Sequence, residues 1–175
     1  MLDFVDRWLE RTLNSEGKHN VLVFSKKLFP IVAEKCKGRN DIAYISIDAT
    51  DECAEFYLLE DNFHYLPSDD NVFNVDFDDL DADREYKGHV FKAISQEQAD
   101  EMVGFIDKNT DKHIIVHCKA GQSRSQGVFR YIMDCYPDFY EECEENKVNP
   151  CITPNAEVVR KLKRAYYKKN GFFTD

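Results

Sequence analysis

The sequence predicts an α/β fold in which a central, mostly parallel sheet is flanked by helices on both faces. Short runs of β-branched and aromatic residues alternate with stretches of helical period, the pattern of parallel strands joined by crossover helices. The 175 residues are 43% hydrophobic, 13% aromatic and 32% charged, which is the balance of a packed globular chain. That length suits one core, so a single domain over residues 1–175 is expected.

Taken in order, Phe4, Val5, Trp8, Leu9 and Leu13 share a helical face, giving an amphipathic helix over 3–13. Val21-Leu22-Val23-Phe24 reads as a buried strand. Ser25 then caps a short helix carrying Leu28, Ile31, Val32 and Ala33; Pro30 fits only in its first turns, and Gly38 and Asn40 end it. A second strand covers Asp41 to Ile47, while the mixed pattern from Asp48 to Leu66 defines no element. Asn71 to Phe77 alternates with period two and makes a third strand. Asp78 to Phe91 reads as a loop long enough to act as a lid. Ser95 and Gln98 form a capping box for a helix over Gln96–Lys108, with Ala99, Met102, Val103 and Ile106 on one face. His113 to His117 is a β-branched strand, Cys118 to Arg124 a glycine-containing turn, and a helix with Val128, Phe129, Ile132, Met133 and Tyr136 follows. Thr153 as cap and Pro154 at the first position start a last helix bearing Val158, Val159, Leu162 and Ala165.

Charge and cysteine usage narrow the function. A net charge of −10 argues against a nucleic-acid partner, because affinity for a polyanion comes mainly from basic groups that displace counterions. It also repels phosphorylated molecules at long range, so any anion site has to be local, built from backbone amides and one or two cations. Residues 1–7 alternate charged and apolar side chains without the apolar run of a signal peptide or membrane span, and a cytoplasmic protein is expected. Cys36, Cys53, Cys118, Cys135, Cys143 and Cys151 form no Cys-x-x-Cys pair, which favours reduced thiols over disulfides or a metal site. No metal and no cofactor are expected. His113 and His117 are four apart, but on a strand rather than a helix. The basic residues of the last helix, Arg160 to Lys169, suit its C-terminal dipole and need no substrate role.

The informative stretch is Val116-His117-Cys118-Lys119-Ala120-Gly121-Gln122-Ser123-Arg124-Ser125. It lies where a strand ends and a helix begins, a turn whose amides converge and whose helix end adds positive potential: a cradle for a phosphate dianion. Gly121 lets the backbone come close. The same field stabilises a thiolate, since thiols in such settings have pKa values of roughly 3.5–7.5 against about 8.5 when free. Arg124, six residues after Cys118, folds back so that its planar fork binds two phosphoryl oxygens. Ser125 donates to the sulfur and helps it leave. Chance alone would place an arginine six residues after some cysteine in roughly a quarter of such chains, but His117, Gly121, Ser125 and the strand–turn–helix context lower that by about four orders of magnitude.

With these residues the chain resembles the protein tyrosine phosphatase superfamily, whose signature is His-Cys, five residues, Arg, then Ser or Thr. Gly121-Gln122-Ser123-Arg124-Ser125 and the chain length are most similar to the dual-specificity branch, and Phe77-Asp78-Asp79-Leu80 with Pro154-Asn155 to its small phage and bacterial members. The resemblance implies the cysteine-dependent phosphatase fold and a phosphomonoesterase that forms a phosphocysteine intermediate on a phosphorylated protein substrate. Cys118, Arg124 and Ser125 are then catalytic, Lys119 to Arg124 (Lys119, Ala120, Gly121, Gln122, Ser123, Arg124) bind phosphate, and His117 orients the loop beneath the thiolate. The chain lacks the Lys-Asn-Arg-Tyr type of segment that builds a deep phosphotyrosine slot, so the resemblance implies a shallower site for phosphotyrosine that stays open to phosphoserine and phosphothreonine. A rhodanese-like sulfurtransferase fits less well because its loop is one residue shorter. The alternatives are a phosphoinositide phosphatase, although Gln122 stands where those relatives carry a second Lys, and a non-catalytic phosphoprotein-binding module.

Transfer of the phosphoryl group leaves an alkoxide or phenoxide that needs a proton, and a carboxylic acid above the phosphate supplies it. The superfamily uses an Asp some 30–40 residues before the cysteine, where Asp78, Asp79, Asp81 and Asp83 all lie. Asp79 is the first choice because it follows the strand and precedes Leu80; Asp78 is the second.

Overall fold

The computed structural model describes residues 6–7, 9–11, 17–142 and 152–172. In chain order the elements are β1 (His19–Ser25), α1 (Phe29–Lys35), β2 (Ile42–Asp48), α2 (Asp51–Phe56), β3 (Val72–Asp76), β4 (Arg84–Tyr86), β5 (His89–Phe91), α3 (Gln96–Lys108), β6 (His113–Cys118), α4 (Arg124–Cys135), β7 (Tyr140–Glu142) and α5 (Ala156–Lys169). Five of the strands form one sheet in the order β3-β2-β6-β1-β7, and every adjacent pair is parallel. β4 and β5 make a separate antiparallel ribbon.

The two central strands explain the architecture. Every residue of β2 and of β6 is buried, so both faces of the sheet must be covered, as parallel sheets require. On one face, Met102 and Ile106 of α3, Val128 and Ile132 of α4, and Val158 and Leu162 of α5 pack against Ile45, Ile114 and Val116. On the other, Phe29 and Val32 of α1, with Leu9 from the helical residues 9–11, pack against Leu22, Ile42 and Ile115. Burial of each such large side chain is worth roughly 1.5–3 kcal/mol. α4 and α5 approach closely at Gly127, where a Cβ would sit 2.9 Å from that of Val158.

The chain leaves β1 for β2 and β3 on one side, then returns to fill the centre with β6 before placing β7 on the other side. Crevices at the C-terminal ends of strands where the order reverses are where open α/β sheets take ligands. Cys118 ends β6 there, Ser25 ends β1 opposite it, and Asp48 ends β2.

Several elements differ from the sequence reading. Ser25 stays in β1, paired with Cys118, and Leu28 is the N-cap of α1, without a side-chain cap hydrogen bond. Asp48 to Leu66 contains α2, capped by the Thr50 hydroxyl, which accepts from Cys53 N. The expected loop from Asp78 to Phe91 carries the β4–β5 ribbon, closed at Lys87 and Gly88, both with positive φ. Asn155, not Thr153, caps α5, because its side chain accepts from Val158 N. Tyr136 is the C-cap of α4 rather than part of it. Phe4, Val5, Trp8, Leu13, Cys143 and Cys151 lie outside the described residues.

Candidate active site

The turn after β6 is held by its carbonyls. Lys26 N donates to Cys118 O (2.9 Å) and to Lys119 O (3.2 Å). Gln126 Nε2, buried, donates to Gly121 O at 3.1 Å. Thr153 N donates to Gln122 O (3.1 Å), and Gly127 N and Asn155 N donate to Ser123 O (2.8 and 3.1 Å). In a trans peptide the C=O and the following N–H point in opposite directions. Each anchored carbonyl therefore turns an amide away from its anchor, which leaves the N–H groups of Lys119, Ala120, Gln122, Ser123 and Arg124 on the other side of the backbone.

Two features keep those donors available. Ser123 is the N-cap of α4 by position, yet its side chain makes no cap hydrogen bond; its hydroxyl donates to Asp79 Oδ1 instead, at 2.6 Å. The first turn of α4 is thus not capped by the Ser123 side chain, the condition under which a helix N-terminus takes an anion. Gly121 has φ +71°, and a Cβ there would lie 2.8 Å from the carbonyl carbon and oxygen of Phe24. Only glycine lets the turn press this closely on the end of β1.

Cys118 is 2% exposed, and its Sγ lies 3.1 Å from Ser125 Oγ. Burial alone would raise the thiol. The Ser125 hydroxyl, the Ser125 amide, the Arg124 charge and the Gly121 amide outweigh that and hold Cys118 below the ordinary thiol value. The other described cysteines go the opposite way. Burial raises Cys36, burial and the Asp78 carboxyl push Cys53 up to about 11, and burial pushes Cys135 up to about 11. Cys118 is the one described thiol that its surroundings lower rather than raise.

Arg124 is 6% exposed and folds back under the turn. Its Nη1 donates to Asp48 O (2.8 Å) and Phe77 O (2.7 Å), the ends of β2 and β3. Its Nε is buried and has no hydrogen-bond partner among the described residues. An unmet charged donor in such a place is costly, and an oxyanion over the turn would satisfy it.

His117 points to the opposite face of β6 and stacks on Phe29, with ring centroids 4.0 Å apart. Burial, then the charges of Lys26, His64 and Arg124, push it down to about 3, so the ring is neutral at physiological pH. Neither ring nitrogen has a hydrogen-bond partner among the described residues; packing alone holds it.

The two acidic candidates sit in different settings. Asp78 is 4% exposed, and its carboxylate accepts from Thr50 N (3.0 Å), Thr50 Oγ1 (2.9 Å) and Lys92 N (2.8 Å). It clamps α2 to the segment after β5. Asp79 is exposed at the rim, where Oδ1 accepts from Ser123 Oγ and from Asn155 Nδ2 (2.8 Å). Asp83 accepts from Ala93 N, and Asp81 lies 3.6 Å from Arg84 on the surface.

Sequence reasoning missed the supporting residues. Gln126 holds the turn from five residues away and Asn155 holds Asp79 from 76 residues away, and only the Pro154-Asn155 pair hinted at the second. Lys26 forms a buried ion pair with Asp48 at 2.6 Å beside the turn. Asp48, His64 and Asp76 bring donor atoms within 4.8 Å of one another, the kind of group that could hold a metal; Asp48 is already paired with Lys26, and His64 Nε2 with Asp76 at 2.9 Å.

No family model matches the chain, and no curated protein matches it. Among solved structures it is similar to the human tyrosine phosphatase-like serine/threonine/tyrosine-interacting protein, with 22% identity and a TM-score of 0.45 over 85% of this chain and 87% of that one. A likeness of that size says nothing of activity or partner. No helix among the described residues is long and apolar enough to cross a membrane.

Proposed function

We propose that the protein is a cysteine-dependent phosphomonoesterase that acts on phosphotyrosine, phosphoserine and phosphothreonine in proteins, as the resemblance to dual-specificity phosphatases implies. The observation that carries the proposal is one thiol, alone among the described cysteines in lying below its ordinary pKa, at a helix N-terminus, with a buried arginine whose Nε has no partner among the described residues. These are the parts of a site for a tetrahedral dianion next to a nucleophile.

In the first step the Cys118 thiolate attacks phosphorus, the S–P bond forms, and the bond from phosphorus to the leaving oxygen breaks. Arg124 and the amides of residues 119–124 stabilise the equatorial oxygens, the kind of pre-arranged electrostatics that supplies most of such a rate enhancement. A carboxylic acid gives its proton to the leaving oxygen. Asp79 is the better assignment, because it faces solvent at the rim while both oxygens of Asp78 are already bonded to backbone or hydroxyl donors. In the second step the same group, now a carboxylate, takes a proton from water as it attacks phosphorus. The S–P bond breaks, the thiolate leaves with the Ser125 hydroxyl donating to it, and inorganic phosphate departs. No metal takes part.

Hydrolysis of p-nitrophenyl phosphate by wild type and its loss in Cys118→Ser tests the proposal. Turnover that survives this change would place the chemistry elsewhere. Binding of a phosphopeptide without turnover by wild type would identify a non-catalytic module.

A further inference from the structure

The negative charge of the chain is concentrated in one segment. Residues 40–83 contain fourteen of the thirty-three acidic side chains and no lysine or arginine, more negative charge than the net −10 of the whole chain. The fold lays part of this segment around the candidate site. The carbonyls of Asp48 and Phe77 hold Arg124, Asp79 is bonded to Ser123, and Phe63 lies 5.2 Å from Nζ of Lys26, whose amide holds Cys118 O. The Cys53 thiol of α2 feels the charges of Arg124 and Lys119.

Glu55, Glu60 and Asp61 of this same segment are exposed. Between Glu55 and Glu60, Tyr57 is 61% and Leu58 84% exposed, and Phe63, just after Asp61, is 61% exposed. Leu58 also has φ +52°, a backbone conformation that a leucine adopts only at a cost. Apolar surface displayed in water beside a site marks a docking surface, and the interleaved carboxylates set the charge of what docks. The buried Nε of Arg124, without a hydrogen-bond partner among the described residues, indicates an anion in the turn that this segment adjoins through Asp48 and Phe77.

We propose that this rim selects phosphorylated peptide segments whose neighbouring residues are Lys or Arg interspersed with apolar side chains. The inference rests on the phosphatase reading and names its substrate class. A phosphate dianion flanked by acidic residues would meet like charge within the screening length, about 8 Å at physiological salt. Cations a few residues from the phosphate reverse that sign and steer the encounter. An anionic membrane surface is repelled by the same carboxylates, which separates this substrate from a phosphoinositide in a bilayer.

The test compares kcat/KM for two phosphotyrosine peptides of equal length, one flanked by Lys and Arg and one by Asp and Glu, with p-nitrophenyl phosphate alongside and phosphoinositide in anionic vesicles as a third substrate. Expected is an advantage of about tenfold or more for the basic peptide at low salt, shrinking as salt is raised and falling severalfold in the folded triple variant Glu55→Gln, Glu60→Gln, Asp61→Asn. Equal turnover of the two peptides, preference for the acidic one, or faster turnover of the lipid overturns the rim assignment while p-nitrophenyl phosphate hydrolysis keeps the phosphatase reading. If wild type hydrolyses nothing, the phosphatase reading fails, and fluorescence anisotropy of the two labelled peptides still decides the rim: tighter binding of the basic one supports it, equal or reversed affinity rejects it.

Discussion

Gly121→Ala separates the requirement for the turn from ordinary packing. The change adds a Cβ 2.8 Å from the backbone carbon and oxygen of Phe24 and 2.9 Å from Ser25 N, distances at which backbone must shift. It also forces alanine to φ +71°. A left-handed conformation costs a non-glycine residue about 1–2 kcal/mol, and overpacking a tight contact costs about 1–3 kcal/mol more. The expected loss of stability is therefore about 2–5 kcal/mol, or roughly 4–20 °C in Tm for a chain of this size. Gly104→Ala is the control: it lies within α3, no atom is within 4 Å of its added Cβ, and alanine in a helix should stabilise by about 0.5–1 kcal/mol. Urea denaturation of both variants, with and without inorganic phosphate, gives the answer. Gly121→Ala should also lose the stabilisation that phosphate confers on wild type, because the amides no longer share a centre. A Gly121→Ala protein as stable as wild type and equally stabilised by phosphate would refute the reasoning.

Ser125→Ala removes the hydroxyl 3.1 Å from Cys118 Sγ. Hydrogen bonds to charged groups are worth about 1.5–3 kcal/mol, so breakdown of the phosphocysteine should slow by roughly ten- to a hundredfold; stopped-flow traces should show a burst of p-nitrophenol followed by a slow steady state, and the acidic limb of kcat/KM should move to higher pH because the thiol loses one of the groups that lower it. Asp79→Asn should flatten the alkaline limb of the rate, since a general acid works only while protonated, and should lower kcat about 10²-fold on phosphoserine, whose leaving group needs the proton, but far less on p-nitrophenyl phosphate; an unchanged bell on both substrates would transfer the role to another carboxyl. Asp48→Asn strands the Lys26 ammonium, held at 2.6 Å and nearly buried, without its counter-charge. That should cost about 3–5 kcal/mol in urea denaturation, and a loss below about 1 kcal/mol would mean that Lys26 swings into water.

What could be read in the sequence was whatever depends on a repeating local pattern. β1, β2, β6 and the face of α3 follow from continuous apolar runs and from the spacing of Ala99, Met102, Val103 and Ile106, and the capping box of Ser95 and Gln98 is present as expected. α2 escaped because it has six residues and buries none of them, so it has no apolar stripe to reveal a period. The β4–β5 ribbon escaped for a related reason: its strands have three residues each, and Lys87 occupies a positive-φ turn position where Asn or Asp is the usual signal. β7 is equally short.

At the site, the turn and its thiol were legible because strand, glycine and helix are contiguous there. Its supports were not. Arg124 is anchored on carbonyls 76 and 47 residues away, Asp79 on donors 44 and 76 residues away. The Thr153-Pro154 pattern pointed to the wrong cap because Asn155 combines two functions, capping α5 and holding Asp79. No local rule carries such pairings.

The central claim, that the Cys118 sulfur takes the phosphoryl group, is tested most directly by rapid acid quench during turnover followed by mass spectrometry of the digested protein. One phosphoryl group should appear on the peptide containing Cys118, more of it in Ser125→Ala and none in Cys118→Ser. Turnover with no phosphoryl group on that peptide, or with the group on another residue, would contradict the account.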